Sequence, residues 1–131
     1  MLRAVTDHSG TPKPFDIGER TFQFACAVVH FCRSLPRADW VAQAVARQLL
    51  RAGTGIGANV EEAKAAYSRR EFACKNGIAL KESRETTFWL RLMETCGLAP
   101  ESDVRPLHIE AREILAILTV IVRKSRNPPS P

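Results

Sequence analysis

Residues 53–60, with the sequence GTGIGANV, are the strongest candidate for chemistry because three glycines occur within five positions. Gly53, Gly55 and Ala58 satisfy the loose form of the dinucleotide-binding fingerprint, G-x-G-x-x-A. That fingerprint follows a strand and opens with a tight turn at its first glycine. The preceding segment, VAQAVARQLLRA, instead has the composition and spacing of a helix, and no Gly-Lys-Ser/Thr of a phosphate loop follows. We therefore predict that the glycines do not form a nucleotide loop.

Two acidic residues, Glu82 and Glu85, stand three positions apart, a spacing that places both carboxylates on one side of a helix. A di-iron site in a helical bundle also needs Glu-x-x-His pairs that project inward from two helices. No glutamate of this chain is followed by histidine three positions later. We interpret the two glutamates as part of an ion-pair network with arginines, and we predict neither a metal nor a cofactor.

Cys26 and His30 share a helix face at i, i+4, where they form a conceivable two-ligand metal site or a Cys–His nucleophile. The sequence identifies no further partner for either role. A core cysteine beside a half-buried histidine is the favoured interpretation. The chain has four cysteines without a C-x-x-C pair, which is typical of reduced thiols in a cytoplasmic protein. We do not expect an enzyme.

Basic residues exceed acidic ones, 19 against 14, and the net charge of +5 favours anionic partners, nucleic acid first. The basic side chains of the second and third predicted helices are candidates for contacts with phosphate groups. They are Arg47, Arg51, Arg69, Arg70, Lys75, Lys81, Arg84 and Arg91. The alternative is solvated helix faces with internal ion pairs. Because aromatic residues are not interleaved with this set, we expect any binding to be directed at the backbone.

The elements that must position these residues are helices. A chain of 131 residues suggests one domain, and apolar residues at helical spacing predict helices at about 19–34, from 39 to the connection near 68, 68–96 and 102–124. The short connections make sequential helices antiparallel neighbours. The predicted fold is an all-α, up-down-up-down antiparallel four-helix bundle over residues 19–125, with a flexible arm at 1–18 and a disordered tail at 126–131.

The first two helices have predicted core stripes. In the first helix the stripe is Phe22, Ala25, Val28, Val29 and Cys32; in the second it passes through the glycines as Val41, Val45, Leu49, Ala52, Ile56, Val60, Ala63 and Tyr67. The second helix has another face of small and charged residues, namely Ala44, Arg51, Gly55, Ala58 and Glu62. Because each glycine costs a helix about 1 kcal/mol relative to alanine, we infer that this face packs beyond its own core. The alternative is a kink near residues 53–57.

The segment LLRAGTGIGANVEEAKAAYSRREF, followed by NGIALKESRETTFWLRLM, closely resembles the bacterial four-helix bundle protein family, also called the 23S rRNA intervening-sequence protein family. The resemblance covers about residues 19–124 and is most specific over 53–93. Phe88 stands where the family commonly has tyrosine or another aromatic residue.

The resemblance implies the bundle fold and a ring-shaped homo-oligomer, with a pentamer favoured. It gives two helix faces a partner in the neighbouring subunit. One is the face of small and charged residues on the second helix, and the other is a face of the third helix that carries Ile78, Glu85, Trp89, Leu92 and Cys96. The residues expected in that interface or in a polar network are Gly55, Ala58, Asn59, Glu62, Glu82, Glu85 and Trp89. A related group resembles accessory proteins of diversity-generating retroelements, which bind nucleic acid and a reverse transcriptase; this is an analogy of fold. The resemblance brings no catalytic residues.

The expected function is therefore that of a non-enzymatic, cytoplasmic homo-oligomer that binds the RNA or DNA backbone through basic surfaces repeated around a ring. The alternative is an assembly or adaptor module that engages another protein and has no direct nucleic-acid role. We expect no membrane partner. The first residues lack the apolar core of a signal peptide, and the longest apolar run, 114–122, is too short to cross a bilayer.

Overall fold

The structure, a computed structural model, describes residues 16–126 as four α-helices, and no strand occurs within that range. The helices are α1 (Ile17–Ser34), α2 (Trp40–Lys64), α3 (Arg69–Thr95) and α4 (Glu101–Arg126). Each helix packs against the next one in the chain, and α4 also contacts α1. The predicted all-α four-helix bundle is thus confirmed.

Neighbouring helices run in opposite directions. Gly53 of α2 lies against Val28 of α1, and Gly57 lies against Thr21. Residue numbers therefore fall along α1 as they rise along α2, which is the antiparallel arrangement. The connecting segments, residues 35–39, 65–68 and 96–100, are short enough to require it.

The ends of the bundle differ slightly from the predicted bounds. Residues 1–15 and 127–131, which make up most of the predicted arm and tail, lie outside the described residues. Ile17 and Gly18 belong to α1 and not to an arm, and Arg126 is the last residue of α4. The helix begins early because Asp16 is its N-cap, with the carboxylate accepting a hydrogen bond of 3.2 Å from the Glu19 amide.

Both ends of α3 follow from short-range sequence signals. The Ser68 hydroxyl accepts a hydrogen bond of 3.0 Å from the Glu71 amide, and the Glu71 carboxylate accepts one of 3.0 Å from the Tyr67 amide. This is a capping box whose return bond reaches one residue further than usual. At the other end, Gly97 has a φ of +63°, the left-handed conformation that ends a helix and that glycine adopts without strain.

The core consists of one apolar stripe from each helix. Its largest fully buried apolar side chains are Phe24, Val28, Leu49, Ile56, Leu90, Met93, Val104, Ile114 and Leu118. The predicted stripe of α1 was right at Val28, which is fully buried, but wrong at Phe22, which is 58% exposed while Phe24 is buried. The stripe of α2 was right from Leu49 onwards, but Val41 is exposed and Tyr67, which is 99% exposed, lies beyond the end of the helix.

The glycines of α2 do not interrupt the helix, which continues from Trp40 through Lys64. A Cβ placed on Gly57 would lie 3.2 Å from the backbone carbonyl oxygen of Thr21, and one on Gly53 would lie 3.1 Å from the Val28 side chain. These two glycines therefore allow α1 and α2 to approach closely, which is the packing role that outweighs their cost to the helix.

Candidate subunit interface and basic surfaces

Arg51 of α2 joins Glu82 and Glu85 of α3 in a polar cluster. The Arg51 Nη2 donates a hydrogen bond to Glu85, and the Arg51 Nη1 lies 3.6 Å from the Glu82 Oε2. Both glutamates therefore pair with an arginine of the same chain, as the predicted ion-pair network requires. The sequence had left open whether this pairing occurs within or between chains.

Gly55 makes room for this polar cluster. A Cβ on Gly55 would lie 3.3 Å from the Glu82 Cδ, so the glutamate side chain lies directly over the glycine. The neighbour of Gly55 in the described structure is thus a residue of its own chain. Asn59, half-buried one turn later, donates a hydrogen bond of 2.8 Å from its side-chain amide to the Gly55 carbonyl oxygen.

Two buried polar atoms in this region lack a hydrogen-bond partner among the described residues: the Glu82 Oε2 and the Trp89 Nε1. The Glu82 oxygen keeps its ion pair with Arg51, although 3.6 Å is too long for a hydrogen bond. The Trp89 N–H has no such compensation. Leaving a buried donor unpaired costs about 1–3 kcal/mol, so this N–H lowers the stability of the bundle.

The outer face of α3, defined here as Ile78, Glu85, Phe88, Trp89 and Leu92, has apolar side chains that the bundle only partly covers. Phe88 is 57% exposed and Ile78 is 36% exposed. The rings of Phe88 and Trp89 meet edge to face, with their centroids 5.0 Å apart. Trp89 is partly buried and packs against the core, whereas Phe88 beside it is mostly exposed.

The remaining residues of the predicted interface lie on the open side of α2. Ala58 and Glu62 are both exposed. The structure therefore brings together Gly55, Asn59 and Glu82, and it leaves Ala58 and Glu62 available for contact from outside.

The eight predicted basic residues do not form a single patch. Arg69 and Arg91 lie on the same helix but about 33 Å apart along its axis, at 1.5 Å per residue. Arg51 is occupied by the polar cluster, and Lys75 is half-buried. The others are exposed, with no carboxylate of residues 16–126 within 4 Å, namely Arg47, Arg69, Arg70, Lys81, Arg84 and Arg91.

Sequence reasoning missed a basic pocket at the corner between α1 and α2. Arg33 of α1, Arg37 of the connection and Arg47 of α2 line a space of about 430 Å³. We call it the corner pocket. The signal available in the sequence was the occurrence of arginines on both sides of a helix–helix turn, but only the fold shows that they face one pocket.

Cys26 and His30 line a groove of about 640 Å³ between α1 and α4, where Ser102 and Asp103 face them. Cys26 is half-buried and His30 is exposed, so the histidine is more open than predicted and the cysteine is not in the core. No group of three or more histidine, cysteine, aspartate or glutamate residues within 16–126 is arranged to hold a metal ion.

Ion pairs at other helix contacts are structural. Arg20 of α1 donates two hydrogen bonds, 2.8 and 2.7 Å, to Glu110 of α4. Glu94 of α3 bonds to His108 and Arg105 of α4, each at 3.0 Å, and these contacts hold the pKa of Glu94 below its ordinary value, with the His108 bond as the main cause. These pairs hold α4 against α1 and α3. They share no residue with the polar cluster of Arg51, Glu82 and Glu85.

None of the four described helices combines the length and the apolar character that a membrane span requires. The chain has no significant match among curated proteins.

A family model described as "23S rRNA-intervening sequence protein" matches residues 13–120. Among solved structures, the chain is similar to a protein of unknown function from the S23 ribosomal protein family of Bacteroides thetaiotaomicron. The two are 31% identical with a TM-score of 0.76, and the match covers 82% of this chain and 99% of that one. The chain therefore belongs to the 23S rRNA-intervening sequence protein family.

Proposed function

We propose that the protein is a homo-oligomer that binds the backbone of RNA or DNA through basic surfaces repeated in each subunit. The observation that carries this proposal is the imbalance of charge pairing at the surface. Among the lysines and arginines of residues 16–126, only Arg20, Arg51, Lys64 and Arg105 have a carboxylate oxygen within 4 Å. The many remaining basic side chains have no acidic neighbour that would compete with a phosphate group.

Most of the acidic side chains of residues 16–126, in contrast, already have a partner in an ion pair or a helix cap. Most of them belong to the ion pairs just described, and others cap helices: Asp39 accepts a hydrogen bond from the Ala42 amide, and Glu71 accepts one from the Tyr67 amide. The surface therefore carries positive charges without acidic partners. Binding of a polyanion to them is favoured because it releases the counterions of the polyanion.

Oligomerisation is supported by the outer face of α3. Phe88 and Ile78 expose apolar area on this face. A second copy packed on this face would cover these apolar groups. The family resemblance favours five copies, and repetition would multiply the weak contribution of each basic side chain.

The test is a series of binding measurements at increasing salt. Dissociation constants are measured for single-stranded and duplex RNA and DNA, each in two unrelated sequences of equal length. We expect binding that differs little between sequences and weakens steeply between about 50 and 200 mM salt. Absence of binding at the lowest salt concentration would overturn the nucleic-acid role.

The adaptor function remains the second candidate because of the groove between α1 and α4. Phe31 and Leu107 give it apolar walls, and Phe22 and Ile109 expose large apolar side chains on the same two helices. Such a surface suits an amphipathic segment of another protein. A protein that forms the oligomer but binds no polynucleotide at low salt would favour this candidate over the first.

A further inference from the structure

The corner pocket lies where α1 ends and α2 begins. Four apolar residues, which we call its apolar floor, line it: Val29, Leu35, Ala46 and Leu50. Arg33, Arg37 and Arg47 line the same space. Gln43 helps to fix the corner, because its side-chain amide donates hydrogen bonds to the Pro36 carbonyl oxygen at 3.1 Å and the Leu35 carbonyl oxygen at 3.4 Å. The three arginines thus line one space at a turn that the hydrogen bonds of Gln43 stabilise.

Nothing in the described part of the chain neutralises these arginines. No carboxylate of residues 16–126 lies within 4 Å of Arg33, Arg37 or Arg47, and none lines the pocket. The acidic residue nearest in sequence, Asp39, is engaged at 3.1 Å with the Ala42 amide at the start of α2. Three like charges around one apolar floor repel one another, so an anion that enters between them is stabilised by all three.

Cys32, whose thiol also lines the pocket, adds no opposing charge. Burial raises the pKa of Cys32 to about 11, so its sulfur is a neutral thiol near neutral pH. The Cys32 Sγ lies 3.6 Å from the Ala46 carbonyl oxygen, a contact within the packing between α1 and α2.

We propose that the corner pocket is a phosphate-binding site, and that its physiological ligand is a phosphate of the nucleic-acid backbone. The guanidinium group presents a planar fork of donors that matches phosphate oxygens, and it remains charged at any physiological pH. The apolar residues that line the pocket read no base edge, and the Gln43 side-chain amide is engaged with the Leu35 and Pro36 carbonyl oxygens. The site is therefore suited to holding the backbone of a strand and not to selecting its sequence. The nucleic-acid source rests on the proposed function; the phosphate chemistry rests on the pocket itself.

The main phosphate contact is therefore expected at the turn between α1 and α2, and not along α3. Of the eight basic residues predicted from the sequence, only Arg47 lines the corner pocket. Arg33 and Arg37 join it because the turn between α1 and α2 brings them to the same pocket.

The test compares two variants that remove equal charge. In the corner variant, Arg33→Gln, Arg37→Gln and Arg47→Gln are combined. In the matched control, Arg112→Gln, Arg123→Gln and Lys124→Gln are combined on α4, where all three side chains are exposed and have no carboxylate of residues 16–126 within 4 Å. Circular dichroism and thermal melting confirm that both variants fold, and each is titrated with a short single-stranded RNA across a salt series.

We expect the corner variant to lose affinity by about tenfold or more at low salt, and its salt slope to fall in magnitude by about 2 to 3, roughly one for each lost phosphate contact. The control should change both quantities much less. If the native protein binds RNA and the two variants weaken it equally, the corner pocket is overturned while the proposed function stands.

A second titration separates the two sources of phosphate. Inorganic pyrophosphate is added to the native protein and to the corner variant, and binding is followed by calorimetry. If the native protein binds pyrophosphate but no polynucleotide, and the corner variant binds neither, the pocket is a phosphate site for a small ligand and the nucleic-acid source is rejected. If the native protein binds neither ligand, the phosphate site itself is rejected.

Discussion

Gly55 of α2 lies directly beneath Glu82 of α3, so that a Cβ on the glycine would come within 3.3 Å of the carboxyl carbon. Two residues that the sequence assigned to a subunit interface or to a polar network are therefore in contact within one chain. The arrangement gives the Glu82 carboxylate room to lie between the helices and face Arg51. The polar cluster of Arg51, Glu82 and Glu85 thus lies beside the outer face of α3, where Phe88 and Trp89 remain partly uncovered.

The two glycines Gly55 and Gly57 should respond differently to alanine. Both substitutions gain about 1 kcal/mol in helix propensity, so their difference isolates the cost of the new Cβ. At Gly55 the Cβ meets a glutamate side chain that can shift, whereas at Gly57 it meets the backbone carbonyl oxygen of Thr21 at 3.2 Å. We expect Gly57→Ala to be less stable than Gly55→Ala by about 1–3 kcal/mol, the usual cost of overpacking. Urea unfolding of both variants measures this, and equal midpoints would contradict the close approach of α1 and α2.

A larger side chain at Gly55 should affect assembly more than folding. In Gly55→Leu the leucine has to displace Glu82 from its place beside Arg51, and we expect the displaced carboxylate to move toward the outer face of α3. We expect a lower oligomer mass with helicity close to that of the native protein. Parallel loss of helicity and association in this variant would show that Gly55 serves only the single bundle.

The exposed apolar groups on the outer face of α3 should hold the subunits together. We expect Ile78→Ser combined with Phe88→Ser to shift the protein toward the monomer. Both substitutions remove exposed apolar area whose burial against a second copy would stabilise the oligomer. The melting temperature of the isolated bundle should change little. Val120→Ser on α4 is the control, since Val120 is also exposed but lies on another helix. A double variant that keeps the native mass would remove this face from the interface.

The contact between Glu94 and His108 predicts a specific pH dependence of stability. The pKa of Glu94 is lowered in the folded protein, first by the hydrogen bond with His108 and then by the one with Arg105. Its contribution to stability is therefore present above the ordinary glutamate pKa of 4.5 and is lost as the pH falls through the lower, folded value. We expect Glu94→Gln to lower the melting temperature relative to the native protein at about pH 5–6, and this difference to shrink as the pH falls below 4.5.

Glu62 supplies the control for the pH experiment, because it is exposed and no basic side chain of residues 16–126 lies within 4 Å of its carboxylate. The difference in melting temperature between Glu62→Gln and the native protein should be small across the same pH range. If Glu94→Gln behaves like Glu62→Gln, the hydrogen bonds of Glu94 do not persist in solution.

Local patterns in the sequence predicted much of the fold. The apolar period of α2 correctly passed through the glycines, and the ends of α3 followed from Ser68 and Gly97. The stripe of α1 was wrong at Phe22 because that helix has two overlapping apolar stripes, which share Val28; one contains Phe22 and the other Phe24. Spacing alone cannot decide which of them faces α2; the close approach of Thr21 and Val28 to the glycines decides it.

The candidate sites depended more on contacts between helices. The sequence indicated that Glu82 and Glu85 pair with arginines, but the choice of Arg51 follows from the register between α2 and α3. The corner pocket depends on the turn between α1 and α2, which brings Arg33 and Arg47 together across the sequence. Periodicity within one helix contains no information about such pairs.

The measurement that tests the central claim most directly is the molar mass of the native protein by light scattering at several concentrations, since repetition of the basic surfaces requires several copies. The account predicts one homogeneous species with several times the 14.6 kDa of a single chain, and five copies are favoured. A homogeneous monomer at every concentration would contradict it, because no second copy of the chain would then cover the outer face of α3.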